Sequence, residues 1–228
     1  MMLFRWTAAF AFLPAAAAAT ITLTPTSFGF YRDTGTASAG NHAIGWYSSA
    51  DQELRQYLIF DRSSVSGTIT AATLVLEDPQ TGYSSPDPQE TWQIFDVSVP
   101  LAGLSGGTGG LTAYQDLGTG TILGSLVVSP ANTHQVISMS LNADGLAYLN
   151  AQSTTFGIGG ALVTLARNTS VTERLFNNGS TVNLVRELQL TYGESAADSA
   201  AIPEPATFLL LSSGLFLLSC LRRGAGSN

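Results

Sequence analysis

Between about residue 20 and residue 192, apolar and polar residues alternate with period two in short runs closed by Gly, Pro, Asn or Asp. That period sends successive side chains to opposite faces of a pleated strand, so each run can bury one face. The runs predict strands over 20–24, 43–47, 55–60, 72–77, 91–97, 123–128, 135–141, 155–159 and 184–192. Their inward-facing sets include Leu74 with Leu76, Ile137 with Met139 and Leu141, and Leu188 with Leu190 and Tyr192. A helical period is carried by Ala143–Ala151, where Asn142 or Asp144 caps and Leu146 and Leu149 anchor one short helix. Many short strands with almost no helix predict an all-β fold, a two-sheet β-sandwich.

The two ends break this pattern. Met1–Arg5 is a short basic start, Trp6–Leu13 is apolar, Pro14 interrupts, and Ala15–Ala19 offers several small-residue cleavage positions before Thr20. This order predicts a secretory signal peptide over 1–19 that forms a helix and is removed. At the other end, a polar small-residue linker (193–202) leads to Pro203-Glu204-Pro205, an apolar run from Ala206 to Leu221, and Arg222-Arg223. As a helix the apolar run is about 24 Å long, shorter than the ~30 Å hydrocarbon core, a deficit that bilayer thinning and snorkelling arginines cover. A C-terminal transmembrane helix is therefore expected, with Arg222 and Arg223 as the stop signal on the cytoplasmic side. The two prolines force extended backbone around Glu204, placing its carboxylate in a rigid, protease-readable segment.

The ordered set Pro203-Glu204-Pro205, short apolar helix and Arg222-Arg223 resembles the PEP-CTERM sorting tail of exosortase substrates, over residues 203–228. The resemblance implies that a membrane-embedded, exosortase-like cysteine transpeptidase cuts at or near Pro203-Glu204-Pro205. It implies further that the protein is bacterial and meets the Sec translocon, signal peptidase and, in transit, the inner membrane. The body would then be released or attached at the cell surface or in the extracellular matrix. A second resemblance lies in the body. Residues 57–76, an apolar strand ending in Phe60-Asp61, a Ser/Gly connection and a strand opening Ala72-Thr73-Leu74, look like a segment common in secreted bacterial jelly-roll modules. Some of those modules bind carbohydrate, so the resemblance implies a jelly-roll-like ectodomain over 20–192. Asp61 is expected to receive turn N–H groups there.

Composition narrows the partners. The cations are nine arginines with no lysine, against 16 acidic residues, at a pI near 4.6. Such a balance argues against nucleic acid, which is bound by neutralising phosphates. The single cysteine, Cys220, lies in the apolar tail, so an ectodomain disulfide is not expected.

Candidate chemistry is sparse. His42 and His134 are the two histidines, each in a Gly/Ala/Asn- or Pro/Asn-rich stretch that reads as an exposed loop, and no G-x-S-x-G elbow accompanies them. Catalytic residues and a cofactor are not expected, and the histidine and cysteine count gives no zinc set. Calcium needs only loop oxygens, but the scattered Asp33, Asp51, Asp61, Asp87, Asp96, Asp116 and Asp144 form no organised repeat. Asp78, Asp87 and Glu90 flank a Pro-rich loop. The glycine-rich 103–110 stretch has no following lysine and reads as a flexible loop. Carbohydrate binding would need exposed aromatic residues. Trp46 and Tyr83 are the candidates, with Tyr83 in a loop, whereas Trp92 is expected in the core. The expectation is a non-enzymatic surface protein, with a carbohydrate-binding module for extracellular polysaccharide as the alternative.

Overall fold

A computed structural model of the chain describes residues 18–167, 170–176 and 184–193. These form one compact unit, Ala18–Gly193. Residues 1–17 of the expected signal peptide and the sorting tail, with Pro203, Glu204, Pro205, Arg222 and Arg223, lie outside the described residues, whereas Ala18 and Ala19, expected as the end of the signal peptide, open the first strand.

The strands are β1 (Ala18–Leu23), β2 (Ser27–Arg32), β3 (Ala37–Ala39), β4 (Ile44–Tyr47), β5 (Gln52–Asp61), β6 (Thr68–Glu77), β7 (Glu90–Asp96), β8 (Ile122–Val128), β9 (Val136–Ser140), β10 (Thr155–Leu162), β11 (Glu173–Leu175) and β12 (Arg186–Gly193). They make two antiparallel sheets. One runs β1-β12-β6-β9; the other runs β11-β4-β5-β10-β7-β8, with β2 added beside β5 and β3 beside β2. The fold is all-β, a sandwich of two sheets. The first and last strands of the unit pair, Ala18 facing Gly193, so the chain enters and leaves the four-stranded sheet at the same end.

The core lies between the sheets. Leu74, Leu76, Ile137, Met139, Leu188 and Leu190 of the smaller sheet meet Leu58, Phe60, Trp92, Ile94, Phe156 and Ile158 of the larger. Each such side chain contributes roughly 1.5–3 kcal/mol by leaving water, which is how an alternating sequence without disulfides holds two sheets together. Leu141 is buried with its expected set, while Tyr192 is half-buried past a register shift between Thr191 and Tyr192. The unbroken apolar run of β5 has a separate cause. Leu58 and Phe60 face the inter-sheet core, whereas Tyr57 and Ile59 are covered on the other face by Leu104, Ala113, Tyr114 and Leu117.

That second cover corrects the expectation of one short helix and a flexible glycine-rich loop. Three α-helices are present among the described residues: α1 (Leu101–Ser105), α2 (Gly110–Asp116) and α3 (Ala143–Ala151). The glycine-rich stretch closes over Tyr31, whose hydroxyl donates to the Gly103 carbonyl at 2.7 Å and accepts from the Gly109 N–H at 3.2 Å. Tertiary burial of Leu104 and Ala113 holds helices that are too short to stand alone. Helix α3 is the expected one, capped by Asn142, which accepts from the Gly145 N–H at 2.8 Å. Asp61 is the expected turn residue: the Ser63 N–H donates to it at 2.8 Å and holds its carboxyl below the usual range.

Candidate functional site

The loop between β6 and β7 is folded back by an isolated bridge pairing Ser84 with Arg174 of β11. At its start, Asp78 is fully buried, and its carboxylate accepts the Phe176 N–H at 3.1 Å, tying the loop to the chain just past β11. Gly82 lies so close that a Cβ there would sit 1.9 Å from Asp78 Oδ1, so the carboxyl is enclosed by its own loop. Burial pushes the Asp78 carboxyl up to about 7.

This closure brings three carboxylates together. Asp87 in the loop, Glu90 at the start of β7 and Glu173 at the start of β11 each offer an oxygen within 4.8 Å of the others. Glu90 accepts from the Ser85 hydroxyl at 2.6 Å and from the Thr164 hydroxyl, and Glu173 accepts from the Ala166 N–H at 2.7 Å. Gly45 makes the approach of β11 feasible: its φ is +110°, and a Cβ there would meet the Glu173 carbonyl oxygen at 2.1 Å. The donor set is oxygen alone, which matches hard cations such as calcium and not zinc. At 0% and 1% exposure Glu90 and Glu173 reach no sugar ring, so their proximity does not make the paired carboxylates of a glycosidase.

The aromatic candidates are placed differently from a binding strip. Trp46 lies on β4 at 7% exposure. Tyr83 is half-buried against the main core, its hydroxyl donating to the Asp87 carbonyl at 2.6 Å. Burial, with the charge of Glu90 beside it, raises the Tyr83 hydroxyl above its ordinary value. Trp92 is fully buried, as its strand position predicts.

The two histidines separate. His134 is exposed at a turn with φ +61°, as expected. His42 is fully buried, which corrects its reading as an exposed loop residue. Its surrounding small residues suggested a turn, but the segment runs between β3 and β4 into the core, and the ring packs on Phe176 at 5.1 Å between centroids. A further polar cluster on the larger sheet was not singled out from the sequence. There Glu53, 2% exposed, is paired with Arg55 at 2.8 Å and with Arg167. Arg55 lies 4.3 Å from the centre of the Tyr114 ring and donates to the Tyr114 and Gln115 carbonyls, so this network docks α2 on β5.

Glu173 also escaped the sequence reading, since a three-residue strand has no period to reveal it. Among the described residues no helix is long and apolar enough to cross a membrane. The chain matches no family model and no curated protein.

Proposed function

We propose that this is an exported, non-enzymatic protein of the bacterial cell surface or extracellular matrix, sorted and cleaved by an exosortase-type transpeptidase. The observation that carries the reading is the ordered tail: Pro203-Glu204-Pro205, the apolar run to Leu221, and Arg222-Arg223, preceded at the far end by a signal-peptide pattern. The tail acts as an address, inserted as a helix and discarded with the arginines, much as a lipid-anchor signal is removed from a mature protein. The pairing of β1 with β12 is compatible with this, because a cut before Thr20 removes only Ala18 and Ala19 from β1 and leaves Thr20–Leu23 paired with β12. The jelly-roll-like assignment rests on the 57–76 segment, which forms β5, the Asp61 turn and β6, and so crosses from one sheet to the other. Among the described residues, Glu90, Glu173 and His42 are buried and committed to internal hydrogen bonds, which supports a non-enzymatic role.

The test is the intact mass of the protein from cells with and without the sorting enzyme. A product beginning near Thr20 and ending near Pro203, present only with the enzyme, supports the reading. Retention of Leu221 and Arg223 in both strains would make the protein a permanent membrane resident and end the sorting account.

A carbohydrate-binding role is favoured by one observation. The outer face of the four-stranded sheet carries a shallow groove of about 390 Å³ lined by Thr20, Thr22, Thr73, Gln189 and Thr191 with Ala71. These hydroxyls and the amide suit hydrogen bonding to sugar hydroxyls in a wet contact. Retention on the cell's own polysaccharide should be lost when Thr73 and Gln189 become alanine; retention unaffected by that pair removes this reading.

A further inference from the structure

The buried His42 does not stand alone: Arg186 Nε donates to His42 Nδ1 at 2.9 Å. A ring nitrogen that accepts a hydrogen bond carries no proton, so this contact exists only while the imidazole is neutral. The two partners belong to different sheets. Arg186 opens β12 of the four-stranded sheet, and His42 leads into β4 of the larger one. The guanidinium also lies 4.3 Å from the centre of the Phe28 ring on β2, so one side chain of β12 grips the larger sheet twice.

The surroundings fix the imidazole firmly. Phe28 meets it edge-on at 6.1 Å, and Phe176 packs at 5.1 Å on its way to Trp92 at 5.0 Å. From β5, the Gln56 amide, oriented to satisfy both neighbours, donates to the His42 carbonyl at 2.9 Å and accepts from Trp92 Nε1 at 3.1 Å. Among the described residues, charged groups bearing on this contact include Arg186 on β12 and, acting on Arg186 from β6, Glu77. Glu77 itself accepts the Val185 N–H at 3.1 Å, one residue before Arg186.

We infer that His42 and Arg186 form an acid-sensitive latch between the two sheets. Protonating Nδ1 replaces the acceptor by a donor and sets a second cation against the half-buried guanidinium, where their repulsion is screened less than between fully exposed charges. Arg186 then leaves His42 and Phe28 for the Glu77 side, and the start of β12 loses its hold on the larger sheet. The latch is closed at neutral pH and opens on acidification. Burial already makes the Arg186 charge costly at this place, lowering its affinity for a proton, so a second charge beside it is poorly tolerated.

The test uses the full chain in detergent micelles, with ring-¹⁵N histidine labelling and amide hydrogen exchange followed from about pH 7.5 to about pH 5. The expected result is a neutral His42 with its proton on Nε2 at the upper pH. As the ring protonates, exchange at 185–188, corrected for its intrinsic pH dependence, accelerates by about tenfold or more. His134, exposed, serves as the reference ring in the same spectrum. His42→Asn, which keeps an acceptor near Nδ1 and cannot be charged, should flatten the exchange profile. Equal acceleration in His42→Asn overturns the latch, and so does a charged His42 with exchange at 185–188 unchanged. The second outcome is read on the wild-type chain, so the inference stays open to refutation even if the variant does not fold.

Discussion

Asp78→Asn should stabilise the protein at alkaline pH and not at acid pH. Asp78 is fully buried, enclosed by Gly82, with Oδ1 accepting from Phe176 N–H and Oδ2 without a hydrogen-bond partner among the described residues. Burial holds its carboxyl neutral up to about 7, whereas the unfolded chain ionises near 3.8. Between those values the folded state keeps a proton that the unfolded state has released. Stability therefore falls as pH rises through this window and is lowest above about 7, where the buried charge costs roughly 2–4 kcal/mol. Asparagine keeps the acceptor for Phe176 and removes the charge. The assay is thermal melting of both proteins at about pH 4 and about pH 8. Relative to wild type, the variant's midpoint should rise by roughly 5–10 °C more at the alkaline than at the acid pH. Acid effects at His42 act on both proteins and cancel in the difference. A gap between the two proteins that is the same at both pH values would refute the reasoning, because it would mean Asp78 is ionised in the fold or solvated.

Gly45→Ala places a Cβ 2.1 Å from the Glu173 carbonyl at φ +110°, so β11 should detach from β4. We expect a loss of about 2–4 kcal/mol in urea melts with faster exchange at Glu173–Leu175; unchanged exchange there refutes the packing argument. Tyr31→Phe removes the hydroxyl that bridges Gly103 and Gly109. Its expected cost is about 1–2 kcal/mol, with lost protection at the Gly109 amide as the local signature. Asn142→Ala uncaps α3 and also deletes the side-chain bond to the Ile122 carbonyl, which should cost about 1–2 kcal/mol in the same melts.

The strands legible in the sequence are those with one face in the core and one in water, such as β6, β9 and β12, because burial there writes a period of two. The cap at Asn142 and the turn at Asp61 were legible for a related reason: each is set by bonds within three residues. Reading failed for elements set by packing outside the inter-sheet core or too short to show a period. The helices α1 and α2 cover β5 from outside the inter-sheet core, together with Tyr31 of the neighbouring strand β2, and no local period distinguishes Leu104 or Ala113 from loop residues. Strand β11 exists because Gly45 admits it, a contact across the chain that leaves no mark near Glu173. The same holds for chemistry. The address proposed at both ends was read from the sequence alone, since targeting segments work as linear signals. The sequence also supplied Asp87 and Glu90 as neighbours. Only the tertiary structure decided that Glu173 joins them, that Trp46 is buried, and that His42 meets Arg186. Those outcomes depend on which strands pair across the sandwich, and pairing is fixed by burial summed over both sheets rather than by any one segment.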